Sequence, residues 1–281
     1  MLHSINILMT EKSCHHRRYG SLYTLYLDQQ AIEFLDSGLS PEEWFRCNIC
    51  NIKSDEKKES GIVNISSSKA VFVKRFFIDN AWQKILYALY KDQALQTFKL
   101  SLDMASAGVP IPRPLAVIRD PERKKKSVYL LSEALRHYRT LKKTIIDLKD
   151  PAQVQDVLDY LAVLLAKMHN AGFFHGDMKW KNIMIDARSK NSACFIDLDT
   201  AGRLISRRDR RYARDLARFC IDIQESLPQQ EQVCRFITAY SRFATRTPKS
   251  IMEHTLPYHM KIAAKHRAKY GIEPTPLKLD P

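Results

Sequence analysis

Glycine is scarce in this chain, with eight copies in 281 residues. None lies between Ser54 and Ser60, where two strand-like runs meet, and Gly61 alone does not make a phosphate cradle. A glycine-rich nucleotide loop is therefore excluded, because its tight turn and close backbone approach depend on glycine. Cysteine is also sparse. The six copies (Cys14, Cys47, Cys50, Cys194, Cys220, Cys234) are too few and too scattered for a disulfide framework in a chain of this length, so free thiols are expected. Cys47-x-x-Cys50 with Cys14-His15-His16 upstream could be assembled into a zinc site, but no second pair completes a signature. The favoured reading is a strand from Phe45 to Ile52 whose cysteines behave as small apolar side chains. No apolar run approaches a membrane span, and there is no internal repeat or low-complexity segment. The first twenty residues lack a basic stretch ahead of their short apolar patch and lack a small-residue cleavage pattern. They read as cytoplasmic and unprocessed.

Acid is outnumbered: Lys and Arg total 45 against 31 Asp and Glu, a net charge of +14. Such a protein favours a polyanion, whether nucleic acid, an anionic membrane face or a phosphorylated glycolipid. Three runs carry much of the charge. Glu122-Arg123-Lys124-Lys125-Lys126 reads as a solvated hairpin tip, and Arg207-Arg208-Asp209-Arg210-Arg211 has the better claim to a functional surface. Lys261 to Lys269 reads as a basic terminal helix, either lying on anionic lipid or simply solvated. The fractions of hydrophobic (45%) and charged (27%) residues are those of a globular protein, so pervasive disorder is excluded.

The chemistry is concentrated in His175-Gly176-Asp177-Met178-Lys179-Trp180-Lys181-Asn182, followed by Phe195-Ile196-Asp197-Leu198-Asp199. Phosphoryl transfer needs a carboxylate to orient or deprotonate the attacking hydroxyl, and oxygen ligands for the Mg2+ that neutralises a triphosphate. The kinase template takes these from H-x-D-x-x-x-x-N and a later Asp, so Asp177, Asn182 and Asp197 fit it, with Lys179 near the γ-phosphate. The flanks agree. Val157 to Ala171 has helical periodicity and ends at Gly172. Asn182 to Ile185 and Ala193 to Ile196 form a hairpin across the polar stretch from Asp186 to Ser192, which delivers Asp197 beside the loop.

Upstream, residues 1–45 read as an N-terminal extension with a strand at Ser21 to Leu27 and a short helix from Gln30 to Asp36. Strand-like runs follow at Cys47 to Ile52, Gly61 to Ile65 and Ala70 to Phe76. The last of these resembles the V-A-I-K strand, which makes Lys74 the candidate for holding the α- and β-phosphates. Helical pattern covers Ala81 to Leu89 and Gln93 to Ala107. A second hairpin, from Val117 to Arg119 and Ser127 to Leu131, leads to a hinge at Glu133-Ala134-Leu135 whose backbone would meet adenine. From about residue 140 the pattern is mostly helical, including Tyr212 to Ile223 and Glu231 to Phe243. The expected fold is α+β, two-lobed and protein-kinase-like: a small antiparallel-sheet amino lobe at 46–135 and an α-rich carboxyl lobe at 136–281.

With these pieces placed, the chain resembles the bacterial lipopolysaccharide core kinases, which phosphorylate Kdo or heptose sugars on a protein-kinase-like fold. The resemblance rests on Val73-Lys74-Arg75, the run from Ala107 to Ala116 (AGVPIPRPLA), Leu131-Ser132-Glu133-Ala134, HGDMKWKNIM, FIDLDTA and Arg214 to Phe219. It implies ATP and Mg2+ as cofactors, Lys74 as the nucleotide lysine, Asp177 as catalytic base, and Asn182 and Asp197 as metal ligands. Asp215 would brace the catalytic loop, or equally pair with Arg211 or Arg218 along its own helix. The implied partner is the anionic lipopolysaccharide core at the inner face of the membrane, with peripheral contact there, rather than nucleic acid. Three departures stand out. The glycine loop is missing, the helix position that usually carries a glutamate for the nucleotide lysine falls on Thr97, and Asp199 replaces the glycine of D-F-G with no A-P-E after it. Lys74 would then be held by another acid, such as Asp92 or Asp103, or work without a partner. Two alternatives follow: an atypical protein or small-metabolite kinase, and a pseudokinase that binds nucleotide without turnover.

Overall fold

The run AVFVKRFF is rich in β-branched and aromatic residues and forms strand β5 (Ala70–Phe77), an interior strand of a seven-stranded sheet. The coordinates come from a computed structural model that describes residues 15–19, 22–26, 43, 49–64, 70–120, 126–206, 208–227 and 231–271. Contacts divide the chain into two units, Met1–Arg136 and His137–Pro281.

In the first unit β1 (His15–Tyr19), β2 (Leu22–Tyr26), β3 (Ile49–Ser54), β4 (Lys58–Asn64), β5, β6 (Pro114–Asp120) and β7 (Ser127–Glu133) pair in the order β1-β2-β6-β7-β5-β4-β3. Every pairing is antiparallel. The strand expected near Ser21 thus joins the sheet beside β6, and a strand at His15 not anticipated from the sequence extends that edge. Helix α1 (Ala81–Ala88) starts at a capping box between Asn80 and Gln83, and α2 (Gln93–Ser106) at an Asp92 cap. Gly108, at φ 74°, ends α2: Val109 N–H returns to Met104 O, and the prolines beyond cannot prolong the helix. Phe98, Leu102, Phe76, Val117 and Val128 form the apolar core between helices and sheet.

The second unit is mostly helical: α3 (Leu141–Asp147), α4 (Pro151–Asn170), α5 (Arg211–Ser226), α6 (Glu231–Phe243) and α7 (Pro248–Tyr270). Helix α4 starts at Pro151 rather than Val157, because Asp150 caps Ala152 and Pro151 takes the first turn, where no N–H is needed. Two small sheets complete the unit. Strands β8 (Tyr138–Thr140), β10 (Ile183–Asp186) and β11 (Ser189–Phe195) form one, and β9 (Phe173–Phe174) pairs with β12 (Gly202–Arg203) in the other. The turn between β10 and β11 is shorter than the polar stretch suggested, because Asp186 folds back to accept bonds from Arg188 N and its guanidinium. That guanidinium holds Asp186 down at about 2, well below the usual carboxylate range.

The basic terminal helix is part of α7, one side of which packs against α5. Ile251, Thr255, His259 and Ala263, one turn apart, are buried, and three histidines of α7 meet α5: His254 Nδ1 at Tyr212 OH (2.8 Å), His259 Nε2 at Gln224 Oε1 (2.9 Å), and His266 at Glu225. Lys261 and Lys265 remain on the exposed side. The helix expected at Gln30 to Asp36, along with Cys14 and Cys47 of the weighed zinc site, lies outside the described residues. Among the described residues no group of three or more His, Cys, Asp or Glu is gathered for a metal.

Candidate active site

Helix α4 ends at Gly172, φ 85°, and the chain passes through β9 into His175. The loop that follows is suspended from α5 by a buried carboxylate. Asp215 accepts His175 N–H at 2.6 Å and Gly176 N–H at 2.8 Å, and His169 Nε2 lies 3.4 Å from it. His169 Nδ1 in turn sits 2.9 Å from the Tyr240 hydroxyl, whose titration burial pushes well up. Of the two roles open to Asp215, bracing the loop is the observed one: Arg211 pairs with Asp209 and Arg218 with Asp222. Gly176 has φ 81°, and a Cβ there would stand 2.4 Å from Thr200 O, so glycine is required for the tight passage.

Asp177, Lys179 and Asn182 are brought into direct contact. Lys179 Nζ is 2.6 Å from Asp177 Oδ2, and Asn182 Nδ2 donates to the same oxygen at 3.1 Å and to Asp177 O at 2.9 Å. With its nitrogen so engaged, buried Asn182 keeps its amide oxygen for a ligand. His175 lies beneath the loop. Its Nε2 donates to Ile196 O at 2.9 Å, and Ile196 N–H donates to Asn182 O at 2.9 Å, so both bonds bind the loop to the stretch carrying Asp197. Asp197 itself is exposed and left-handed, φ 63° and ψ 57°, a conformation costly for a non-glycine residue and concentrated at functional sites.

A second carboxylate of α5 escaped the sequence reading. Asp222 accepts Trp180 N–H at 2.6 Å and is held by Arg218 at 2.9 Å. Burial pushes its titration up against the pull of Arg218. Asp215 and Asp222 are seven residues apart, two helical turns, so one face of α5 grips the loop on both sides of Asp177. That spacing was the available signal. The indole of Trp180 packs on Phe219, 6.0 Å between centroids, and Phe219 stacks on Phe236 at 4.4 Å.

In the first unit Lys74 is buried on β5, on the face it shares with Phe76, with Nζ 5.4 Å from that ring. Thr97 is buried on α2 and brings no charge. Asp92 is engaged elsewhere: it caps Leu95 N–H at 3.0 Å and faces Arg119 Nε at 3.4 Å, and burial pushes its titration up. Glu133 N–H is committed to Arg113 O. The turn after β3 closes on itself. Asp55 Oδ1 accepts from Lys57 N and Lys58 N, both at 2.8 Å, so its amides are turned inward rather than toward a phosphate.

The arginine run divides. Arg211 acts as a brace, paired with Asp209, donating to Arg203 O at 2.9 Å and lying 4.3 Å over the Phe174 ring. Arg208 and Arg210 are exposed, and Arg207 lies outside the described residues. The donor set of Asn182 and Asp197 is hard oxygen, which suits Mg2+, and a buried lysine on β5 suits a phosphate.

Comparison with known proteins agrees with this geometry. Residues 53–240 match the lipopolysaccharide kinase (Kdo/WaaP) family. A 3-deoxy-D-manno-octulosonic acid kinase of Vibrio parahaemolyticus serotype O3:K6 (strain RIMD 2210633) is 31% identical over 127 residues, 45% of this chain and 48% of that kinase. The aligned part thus spans about half the length of that curated relative. The solved structure of WaaP in complex with acyl carrier protein superimposes with a TM-score of 0.59 at 18% identity, covering 85% of this chain and 96% of that one, a likeness of fold. The antiparallel sheet unit followed by an α-rich unit is accordingly a protein-kinase-like fold, and the chain belongs to the lipopolysaccharide kinase (Kdo/WaaP) family.

Proposed function

We propose that the protein is an ATP-dependent kinase that phosphorylates a hydroxyl of a Kdo or heptose sugar in the lipopolysaccharide inner core. The observation that carries this reading is the contact set of Asp177, Lys179 and Asn182 on a loop braced by Asp215 and Asp222. Asp177 orients the acceptor hydroxyl and takes its proton. Since Lys179 and Asn182 both meet Oδ2, Oδ1 is the oxygen for that proton. Lys179 keeps the carboxylate in place and offers positive charge as the phosphoryl group moves. Mg2+ held by Asn182 Oδ1 and Asp197 would neutralise the phosphate oxygens. Lys74 would hold the α- and β-phosphates, and the hinge groups of Glu133 and Leu135 the base. Arg208 and Arg210, both exposed, would attract an anionic acceptor.

Kdo is the sugar favoured over heptose, because the aligned relative is a 3-deoxy-D-manno-octulosonic acid kinase. The test is incubation of the purified protein with ATP, Mg2+ and Kdo-bearing or heptose-bearing acceptors, followed by mass spectrometry of the products. One added phosphate on the Kdo acceptor is the expected result. Phosphate on heptose alone would change the sugar, and incorporation only into protein or a small metabolite would replace the reading.

A further inference from the structure

Helix α1 turns its apolar residues outward. Trp82, Ile85 and Leu89 stand at i, i+3 and i+7, one stripe of a helix, and are 66%, 49% and 59% exposed. Tyr90 follows at 52%. The ordinary expectation for such a stripe is burial against a core, yet the side of α1 that enters the core is Tyr87, packed with Phe98, Leu102 and Val117. Among the described residues, four of the exposed large hydrophobic side chains thus fall within nine consecutive positions.

This face is built, not frayed. The capping box fixes one end of α1, with Gln83 N–H on Asn80 Oδ1 at 2.8 Å and Asn80 N–H on Gln83 Oε1 at 3.2 Å. At the other end the Arg119 guanidinium is sandwiched between Tyr87 (3.9 Å) and Tyr90 (4.0 Å) and held by Asp92 at 3.4 Å. The stripe is flanked by cations. Lys84 and Lys91 are exposed, and exposed Lys126 reaches within 5.5 Å of the Tyr87 ring. Helix α1 contains no acid, and Asp79, just ahead of it, sits at the positive end of the helix.

An exposed apolar stripe with Trp and Tyr, rimmed by lysines on a protein of net charge +14, matches the layered chemistry of an anionic bilayer surface: hydrocarbon below, a belt favourable to aromatics, then negative headgroups. A second copy fits less well. The patch would oppose its own lysines, and an eight-residue helix, about 12 Å long, offers far less than the roughly 1,200 Å² of a stable interface. No described helix is long and apolar enough to cross a membrane. We propose that α1 is a membrane-docking helix, seating Trp82, Ile85 and Leu89 in the interfacial layer of an anionic bilayer with Lys84, Lys91 and Lys126 against the headgroups. The purpose of such docking rests on the reading above, in which the acceptor sugar is lipid-linked. The docking itself is measured without it.

The experiment is sedimentation of the full chain with vesicles of phosphatidylcholine alone or mixed in equal parts with phosphatidylglycerol. The mixed vesicles should bind it and shift tryptophan emission to the blue, while the neutral ones should bind weakly. The triple variant Trp82→Ser, Ile85→Ser, Leu89→Ser should bind at least about tenfold more weakly, and Lys84→Gln and Lys91→Gln about fivefold each. All three positions are exposed, so melting temperature should stay close to wild type. Activity toward a water-soluble acceptor should be unchanged in the triple variant, and activity toward a vesicle-embedded acceptor should fall. Equal vesicle binding by wild type and triple variant, no wild-type binding to mixed vesicles, or a wild-type dimer that the variant loses without any change in lipid binding would each overturn the proposal. Wild-type binding to mixed vesicles that the variant loses, with no phosphorylation of either sugar acceptor, would support docking and remove the acceptor reading instead.

Discussion

The loop from His175 to Asn182 and the turn from Ser54 to Lys58 stand where a kinase handles its acceptor and its phosphates, and they are stabilised in opposite ways. In the loop, backbone N–H groups are gripped by carboxylates on a distant helix: His175 and Gly176 by Asp215, Trp180 by Asp222. In the turn they are satisfied within four residues by Asp55, which takes Lys57 and Lys58. The first arrangement fixes the segment carrying the Asp177 carboxylate against a packed helix. The second makes a compact hairpin tip whose Lys57 and Lys58 amides are taken by Asp55. The template is kept where side chains perform the chemistry and abandoned where the backbone would.

The largest effect expected from breaking this contrast comes at Asp215. Asp215→Ala leaves two buried N–H groups and His169 without their acceptor and should cost about 3 to 5 kcal/mol of stability. Urea denaturation would measure it, and activity should fall with the folded fraction. Asp222→Asn is a milder test. It keeps the size and an acceptor oxygen but removes the charge that Arg218 pairs with, so kcat should fall about tenfold while the KM for ATP stays within about twofold. Equal loss in both parameters would mean that Asp222 supports the unit generally rather than the loop.

Much of this was legible beforehand. The spacing of His175 to Asn182 predicted one cluster, and the structure brings Asp177, Lys179 and Asn182 into contact. The helices at Gln93 and Glu231 begin where the helical pattern placed them. What stayed hidden was relational. Asp222 looks like one more acid on an amphipathic helix until Trp180 N–H is found 2.6 Å from it, and Arg211 looks like part of a binding surface until its ring and carboxylate partners are seen. In the terminal helix the lysines are visible in the sequence, but the line of Ile251, Thr255, His259 and Ala263 that packs it down is interleaved with them.

That packed face supplies a pH dependence. Burial holds His259 at about 4, down from 6.5, so the folded state resists a proton that the unfolded chain accepts. Between those values the unfolded state binds more protons. Stability is therefore full above 6.5 and declines as pH falls toward 4, by about 3 kcal/mol from this residue. Urea midpoints at pH 7.5 and pH 5 should show the decline, and His259→Gln should flatten it; an unchanged slope would assign the pH dependence to other groups. The smallest effect is expected at the exposed turn. Asp55→Ala should leave ATP affinity within about twofold, since no amide of this turn serves a phosphate. A tenfold loss would mean that the turn has a nucleotide role after all.

The central claim, that the loop from His175 to Asn182 is the catalytic site, is tested most directly by one pair of measurements on Asp177→Ala. A group that acts on the acceptor hydroxyl in the transition state contributes to turnover and little to nucleotide binding. Single-turnover phosphorylation of the Kdo acceptor should slow by about 100- to 10,000-fold, while the Kd for ATP by calorimetry stays within about threefold. Wild-type turnover in Asp177→Ala would contradict the assignment outright.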